Sequence, residues 1–410
     1  MTGYIPKVRD FLRKHPMHVM MSMYKIFQDC IAMYEVRIIE DPIQWNDFIK
    51  TAKYGHLCQT FEWPDHGEIV GLRQKALRVG LLKDGALVGA VLLLASPAGG
   101  LPGHIFYAPR GPVVDSLEGP ELGELMRGAA KIARSHGGVA LRIEPHIAED
   151  DPLWRAYFQR LGFHETDSVI YLRNTWILDI RPPESELLAG MKMTWRYNVH
   201  FAERKGVVVR QGTTEEDFQR FYELQTETSQ REHFYLYPPT VFRDMLAHYS
   251  AEAARERHTA ELVLLVAEYQ GEIIGATTEA FFGAYALSMH TGLSDLPAHR
   301  KVKPNYLMQW ECIKLAKERG CSYYDFRNIP EKLEPGQPMY GVYEFKRGFG
   351  GFMRRMAATM DLPLNPLLYY PYVWMTNARN SLRNRQTVSA PAGGGSAGPD
   401  SSAAAPAAED

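Results

Sequence analysis

The chain has 410 residues, 45% of them hydrophobic, with 46 lysines and arginines against 48 acids and a formal net charge of −2. That length and apolar content suffice for two ordinary domains with separate cores, and the charge balance carries no global nucleic-acid signature. The four cysteines, Cys30, Cys58, Cys312 and Cys321, form neither a C-x-x-C pair nor a Cys/His zinc pattern, which reads as a reduced, cytoplasmic protein without a metal site.

Residues 1–32 read as an N-terminal extension. The stretch from Met17 to Met33 is Met-rich, but His18, Lys25, Gln28 and Asp29 interrupt it and no small-residue cleavage site follows. No run of about 18 apolar residues occurs anywhere, so no spanning helix is predicted. Tyr34 to Ile39 alternates as a strand does, and Asp41-Pro42 supplies an N-cap with proline at the first helical position. A strand over 86–94 follows the turn Lys83-Asp84-Gly85. Ile105 to Val114 reads as a strand interrupted by prolines, ending at an edge or a site. A helix near 122–136 places Leu122, Leu125, Met126, Ala129 and Ala133 on one face and closes at Gly137, before a short strand from Val139 to Ile143.

Arg181-Pro182-Pro183 opens the second half. Leu187 to Lys205 looks helical and ends at Gly206. A capping box, Thr214 to Asp217, starts the next helix. Strands are predicted at 261–268, 272–282 and 285–290, then a helix at about 305–318 and a strand at 322–327. An aromatic and basic helix over 367–388 and an Ala/Gly/Ser/Pro-rich tail at 389–410, predicted to be disordered, complete the chain.

The middle of the chain is said twice. The turn and strand around Gly85 return around Gly271, the helix end at Gly137 returns at Gly320, and the Tyr157 to Phe163 phrase returns from Tyr343. The offsets are 186, 183 and 188 residues for the pairs Gly85/Gly271, Gly137/Gly320 and Gly162/Gly350. Two copies of one α/β unit, at 33–180 and 181–366, account for this order.

Three segments carry the chemistry. Met191 to Gly206 is a basic helix with Lys192, Arg196, Arg204 and Lys205, suited to phosphate or RNA. Tyr343 to Arg355 interleaves cations, aromatics and glycines, where a backbone can approach a ligand. Glu144 and Asp325 put an acid at matching strand ends, where a carboxylate can accept a proton from an amine. His136, His146 and His164 lack ligand spacing and read as surface histidines.

On the phrases Thr194 to Asn198, Ala202 to Val207, Tyr324-Asp325-Phe326, Tyr343 to Gly350 and Leu362 to Pro366, the chain resembles the FemABX family, the bridge-forming aminoacyltransferases of bacterial peptidoglycan. The resemblance covers about Met33 to Tyr372. It implies two tandem acyl-CoA N-acyltransferase-like (GNAT-like) domains with mixed sheets flanked by helices. The short connection before residue 261 implies no coiled-coil arm. It further implies transfer of an amino acid from aminoacyl-tRNA to the stem-peptide amine of a nucleotide- or lipid-linked precursor. Apart from the resemblance, a cytoplasmic monomer is expected, and Tyr369, Tyr370, Tyr372 and Trp374 before Arg379, Arg383 and Arg385 give the last helix either an interfacial pattern for peripheral contact with the inner face of the plasma membrane or a set of core-packing aromatics. By the same resemblance Phe345 and Lys346 match the family's Phe-Lys pair, the lysine stabilising charge at the reacting ester. Glu144 matches its strand-end acid and Arg110 its basic-Gly-Pro turn. Tyr107, Arg196, Arg204, His290, Asn305, Tyr343 and Arg347 complete the expected substrate-binding set. The basic residue after the family's Gln-to-Trp phrase is Gly67 here, and its tyrosine-rich strand reads Ser288-Met289-His290. The segment 299–305 has no glycine and 117–121 has acids and no cation, so neither offers a coenzyme A turn; aminoacyl-tRNA is the expected co-substrate and no cofactor is expected. The alternatives are transfer to a protein N-terminus or another non-wall amine, and a non-catalytic module that binds RNA or membrane.

Overall fold

The structure, a computed structural model, describes residues 34–66, 75–167 and 170–389, with side chains as far as Arg379. The expected extension at 1–32, the tail after 389 and Gly67 lie outside the described residues.

Fifteen strands are formed among these residues: β1 (Tyr34–Ile38), β2 (Ala76–Lys83), β3 (Ala86–Ala98), β4 (Leu101–Ala108), β5 (Val113–Val114), β6 (Gly138–Ile143), β7 (His164–Glu165), β8 (Asn174–Asp179), β9 (Val208–Gln211), β10 (Glu261–Tyr269), β11 (Glu272–Phe282), β12 (Tyr285–Leu293), β13 (Tyr323–Asn328), β14 (Phe352–Arg355) and β15 (Met360–Pro363). They build two mixed sheets. The first runs β1-β2-β3-β4-β6-β15-β7, with β5 beside β3; the second runs β14-β8-β13-β12-β11-β10-β9.

The repeat is visible in the backbone. Asp84 and Gly85 turn the β2–β3 hairpin at φ 51° and 83°, and Gln270 and Gly271 turn β10–β11 at φ 54° and 83°. Two consecutive left-handed residues match the twist of a hairpin, and glycine takes the second without a Cβ clash. Each hairpin also shifts register just before its turn, at Leu81/Leu82 and at Ala267/Glu268. Gly137 and Gly320, which follow the helices Glu121–Ser135 and Pro304–Glu318, share φ 78°. The Thr214 capping box forms as predicted, with Asp217 as its acid.

The copies differ where their central parallel strands meet. In the first sheet β4 and β6 stay paired from His104 with Gly138 to Ala108 with Ile143. In the second, β12 and β13 pair only from Tyr285–Leu287 to Tyr323–Asp325. Beyond that they part, and β12 slips register against β11 between Thr278 and Glu279, which leaves Met289 as the extra residue. The second sheet therefore opens on one side, and the first does not.

Two strands cross the expected division at 180/181. β8 comes before it yet joins the second sheet, between β14 and β13. β15 comes from the end of the second half yet closes the first sheet, between β6 and β7. On β15, Asp361 faces Arg142 of β6 in register. Their two bonds are both 2.8 Å, the Tyr369 hydroxyl adds a third to Asp361 at 3.0 Å, and Asp361 is fully buried. A bidentate guanidinium–carboxylate pair satisfies both charges where neither could stand alone.

The predicted helix over Leu187 to Lys205 forms as two, Glu184–Gly190 and Met193–Arg204. Met191 is buried and extended at the break, and the Lys192 amide donates to the Gly348 carbonyl at 2.9 Å instead of continuing the helix. The connection before β10 holds only the short helices Pro239–His248 and Ala251–Arg257, so no coiled-coil arm is present among the described residues. A shared core joins the halves: Trp45, Ile49, Leu92 and Tyr107 pack with Met245, Tyr249, Leu262 and Phe282.

Candidate functional site

Of the predicted segment Tyr343 to Arg355, the first part is the end of a short helix, Tyr340–Arg347, and the last part is β14. The helix end is fixed from outside. Trp195 donates its indole N–H to the Phe345 carbonyl at 2.9 Å, and its ring fills the space against Gly348, where even a Cβ would clash. Phe345 lies in an aromatic cluster, with ring centres 5.4 Å from Tyr306 and 5.2 Å from Phe349. Its role in this structure is to hold the helix end that presents Lys346.

Lys346 points to the end of β13. Its Nζ donates to the Asn328 carbonyl at 2.7 Å. Burial pushes its ammonium down to about 7; the Asp325 carboxylate opposes that shift and the Arg327 guanidinium adds to it. A lysine titrating near neutrality is a group that can both hold and release a proton at working pH.

Asn328, Arg327 and Asp325 line a cavity between the halves. His56, Cys58, Arg110, His146 and Tyr171 approach it from the first half, and Thr175, Leu287 and Met356 complete the wall. Asp325 Oδ1 accepts from the Thr175 hydroxyl and from the Arg327 amide, the latter at 2.6 Å. Arg110 and Arg327, on opposite sides, both hold left-handed backbones, at φ 53° and 62°. That conformation is strained by about 1–3 kcal/mol in a non-glycine residue and is found where a site needs it. Arg110 donates to the Leu172 carbonyl at 3.3 Å and lies over the Tyr171 ring.

His146, read from sequence as a surface histidine, is only 8% exposed. It packs edge-on to His56 at 4.7 Å and to Tyr285 at 5.8 Å. Burial, then the charges of Arg110 and Arg354, push its imidazole down to about 3. His56 is held well below the usual histidine range by burial, by His146 and by Arg110 and Arg327. Both rings are therefore neutral at pH 7. Of the other two histidines, His164 is exposed and bonds the Tyr369 hydroxyl, and His136 is half-buried.

Glu144 stands behind this wall, buried and fully engaged. It accepts from the Tyr107 hydroxyl at 2.6 Å, the Ile170 amide at 2.8 Å, the Tyr171 amide at 3.3 Å and the Thr359 hydroxyl at 3.0 Å. Four donors leave little capacity for a proton from an amine. The geometry makes Glu144 and Tyr107 the anchor of the 170–171 segment, which carries Tyr171 to the cavity.

The remaining expected residues lie away from the cavity wall. Arg196 caps the preceding helix through the Leu188 and Ala189 carbonyls at 3.2 and 3.3 Å. Arg204 is exposed over Tyr197, and Arg347 is exposed beside Glu344 at 3.1 Å. Tyr343 is buried against Trp176. His290 packs on Phe242 where β12 leaves β13, and Asn305 sits in the first turn of the helix Pro304–Glu318. That helix opens on Lys303 and Pro304 with no side-chain cap, and Pro304 contributes no N–H there. Six of the twelve residues of the basic helix are exposed, and Asn198, Val199 and Ala202 are buried.

Residues 191–347 match the family described as Acetyltransferase (GNAT) domain. The lipid II:glycine glycyltransferase of Staphylococcus aureus (strain MRSA252) is 24% identical over 392 residues, spanning 78% of this chain and 91% of its own. Among solved structures, FemX superposes with a TM-score of 0.74 at 21% identity, over 82% of this chain and 99% of its own. A conserved protein of unknown function from Bacteroides thetaiotaomicron reaches 0.52 at 13% identity, over 80% of this chain and 99% of its own.

Proposed function

The chain belongs to the FemABX family, and on that premise we propose that it transfers an amino acid from aminoacyl-tRNA to the stem-peptide amine of a peptidoglycan precursor. The observation that carries this reading is the placement of Lys346, a lysine tuned near neutrality and held at a polar cavity that both halves build. The nearness of the curated glycyltransferase supports a wall precursor as acceptor.

In this reaction the acceptor nitrogen attacks the ester carbonyl carbon. The C–N bond forms, the carbonyl oxygen becomes an oxyanion, and the C–O bond to the ribose then breaks. The nitrogen loses one proton and the ribose oxygen gains one. Lys346, when protonated, stabilises the oxyanion and can supply the proton that the leaving ribose oxygen takes up. Arg110 and Arg327 set a positive field that keeps a nearby amine neutral, the form that attacks. Positioning by the two halves supplies the rest, because the ester is already activated.

A membrane contact belongs to the same reading. The helix Pro366–Ser389 packs Leu368, Tyr369, Tyr372 and Val373 on the first sheet, and turns Leu367, Tyr370 and Trp374 outward at 86%, 62% and 72% exposure. An outward Leu-Tyr-Trp face beside Arg379 suits the interface of an anionic bilayer. No helix among the described residues is long and apolar enough to cross one.

The test is a transfer assay with charged tRNA and with nucleotide- and lipid-linked precursors, read by mass spectrometry. A precursor heavier by one aminoacyl residue supports the reading. Full binding of both substrates without turnover would favour a non-catalytic module.

A further inference from the structure

The helix Met193–Arg204 carries apolar rings where a surface helix ordinarily carries charge. Val199 and Ala202 enter the core of the second half, and Trp195 packs on it. On the opposite side Met193, Tyr197 and Phe201 follow at every fourth position, which puts them on one face. Met193 is 76% exposed and Tyr197 57%. The rings are ordered: Tyr197 and Phe201 have centres 6.0 Å apart and planes 26° apart. The Arg204 guanidinium lies 5.8 Å from the Tyr197 ring, and the Lys205 ammonium 5.5 Å from that of Phe201. No carboxylate among the described residues pairs with either cation; the neighbouring Glu203 is engaged by His200 at 3.0 Å.

The start of this helix is tied to the transfer lysine. The Lys192 amide donates to the Gly348 carbonyl, and the Trp195 indole to the carbonyl of Phe345, the residue before Lys346, both at 2.9 Å. From Trp195 to Arg204 the helix runs away from that point for about 14 Å, at about 1.5 Å per residue.

We infer that this face binds the single-stranded 3′ end of the RNA that donates the amino acid, with bases stacked on Tyr197 and Phe201 and phosphates on Arg204 and Lys205. The inference rests on the transfer reading above and names the surface its donor meets. An unpaired strand offers base faces and phosphates in alternation, which is what rings interleaved with unpaired cations receive. A bilayer fits less well. An interfacial helix keeps its cations beside its apolar face, whereas here they stand over the rings, so inserting the rings would bury the charges as well.

The experiment is fluorescence anisotropy with the full chain, without acceptor, on two labelled and uncharged RNA hairpins, one with a single-stranded 3′ extension and one blunt. Tyr197→Ala should weaken the extended RNA by about 10-fold, the scale of losing one stacked base, and leave the blunt hairpin unchanged. Tyr197→Trp should restore the preference. Arg204→Gln with Lys205→Gln should weaken both RNAs and lower the slope of log Kd against log salt by about 1 or more. Equal binding of the extended RNA by wild type and Tyr197→Ala overturns the inference. Should Tyr197→Ala fail to fold, the double variant of the exposed cations decides, and an unchanged salt slope overturns the inference. A further arm uses vesicles of anionic phospholipid: a variant that loses vesicle binding at an unchanged RNA Kd assigns the face to membrane and overturns it too. None of these readouts needs turnover, so their failure leaves the transfer reading standing; that reading fails separately if wild type aminoacylates no precursor.

Discussion

Lys346 donates to the carbonyl of Asn328 at 2.7 Å, and this one bond joins the end of a short helix to the wall of the cavity between the halves. The bond matters because the lysine is partly buried, and burial pushes it down to about 7. An ammonium in that place is held at the expense of stability.

Lys346→Met should therefore stabilise the fold. A base with a depressed native pKa stays protonated in the unfolded chain, so its penalty is full below about pH 7 and fades as pH rises toward 10.5. Thermal melting should show Tm gained by the variant at pH 6 to 7, with the gain shrinking by pH 10. A variant less stable at pH 7 would show that the ammonium holds the site together.

His146 makes the opposite limb visible. Its imidazole is pushed down to about 3 from 6.5, so the unfolded chain takes up a proton first as pH falls. Stability should decline between pH 6.5 and about 3 through this group, and His56, held well below the usual histidine range by burial and nearby charges, adds to the decline below pH 6.5. His146→Phe should flatten the decline measured by urea unfolding. An unchanged slope would mean that the ring is not buried neutral.

The exchange of strands gives a mechanical prediction. Asp361→Asn leaves Arg142 buried beside a neutral amide, and breaking a buried pair in this way costs about 3–5 kcal/mol. Denaturant melts should show that loss. A loss below about 1 kcal/mol would indicate that water reaches the pair.

The outward face of the last helix predicts lipid binding. Co-sedimentation with vesicles containing anionic phospholipid should fall several-fold for Leu367→Ser with Trp374→Ser, two residues exposed in the structure. Binding unchanged by the pair would remove that face from membrane contact.

Much of this was legible in the sequence because it is local. The glycines at 85, 137, 271 and 320 mark positive φ, which side chains resist, and they betray the repeat before any strand is placed. Phe345 and Lys346 stand out through motif resemblance, and Arg110 through its Gly-Pro turn. What sequence concealed is partnership across long separations. Glu144 looks like an available base until Tyr107, Ile170, Tyr171 and Thr359 converge on it. His146 looks like a surface residue until the fold brings His56 and Tyr285 against it. The Arg196 and Arg204 helix reads as a phosphate site because charge is visible in sequence, whereas the two helix-end carbonyls that hold Arg196 are not. β8 and β15 change sheets by contacts that no local pattern records.

The measurement that tests the central claim most directly is the single-turnover rate of aminoacyl transfer by Lys346→Ala, with circular dichroism as the check on folding. The account predicts a loss of about 100-fold or more, the size expected for removing a group that stabilises an oxyanion, in a protein that still binds both substrates. Lys346→Arg, charged at every working pH, should keep more of the rate and should lose any decline above about pH 7. A folded Lys346→Ala protein transferring at near the wild-type rate would contradict the account.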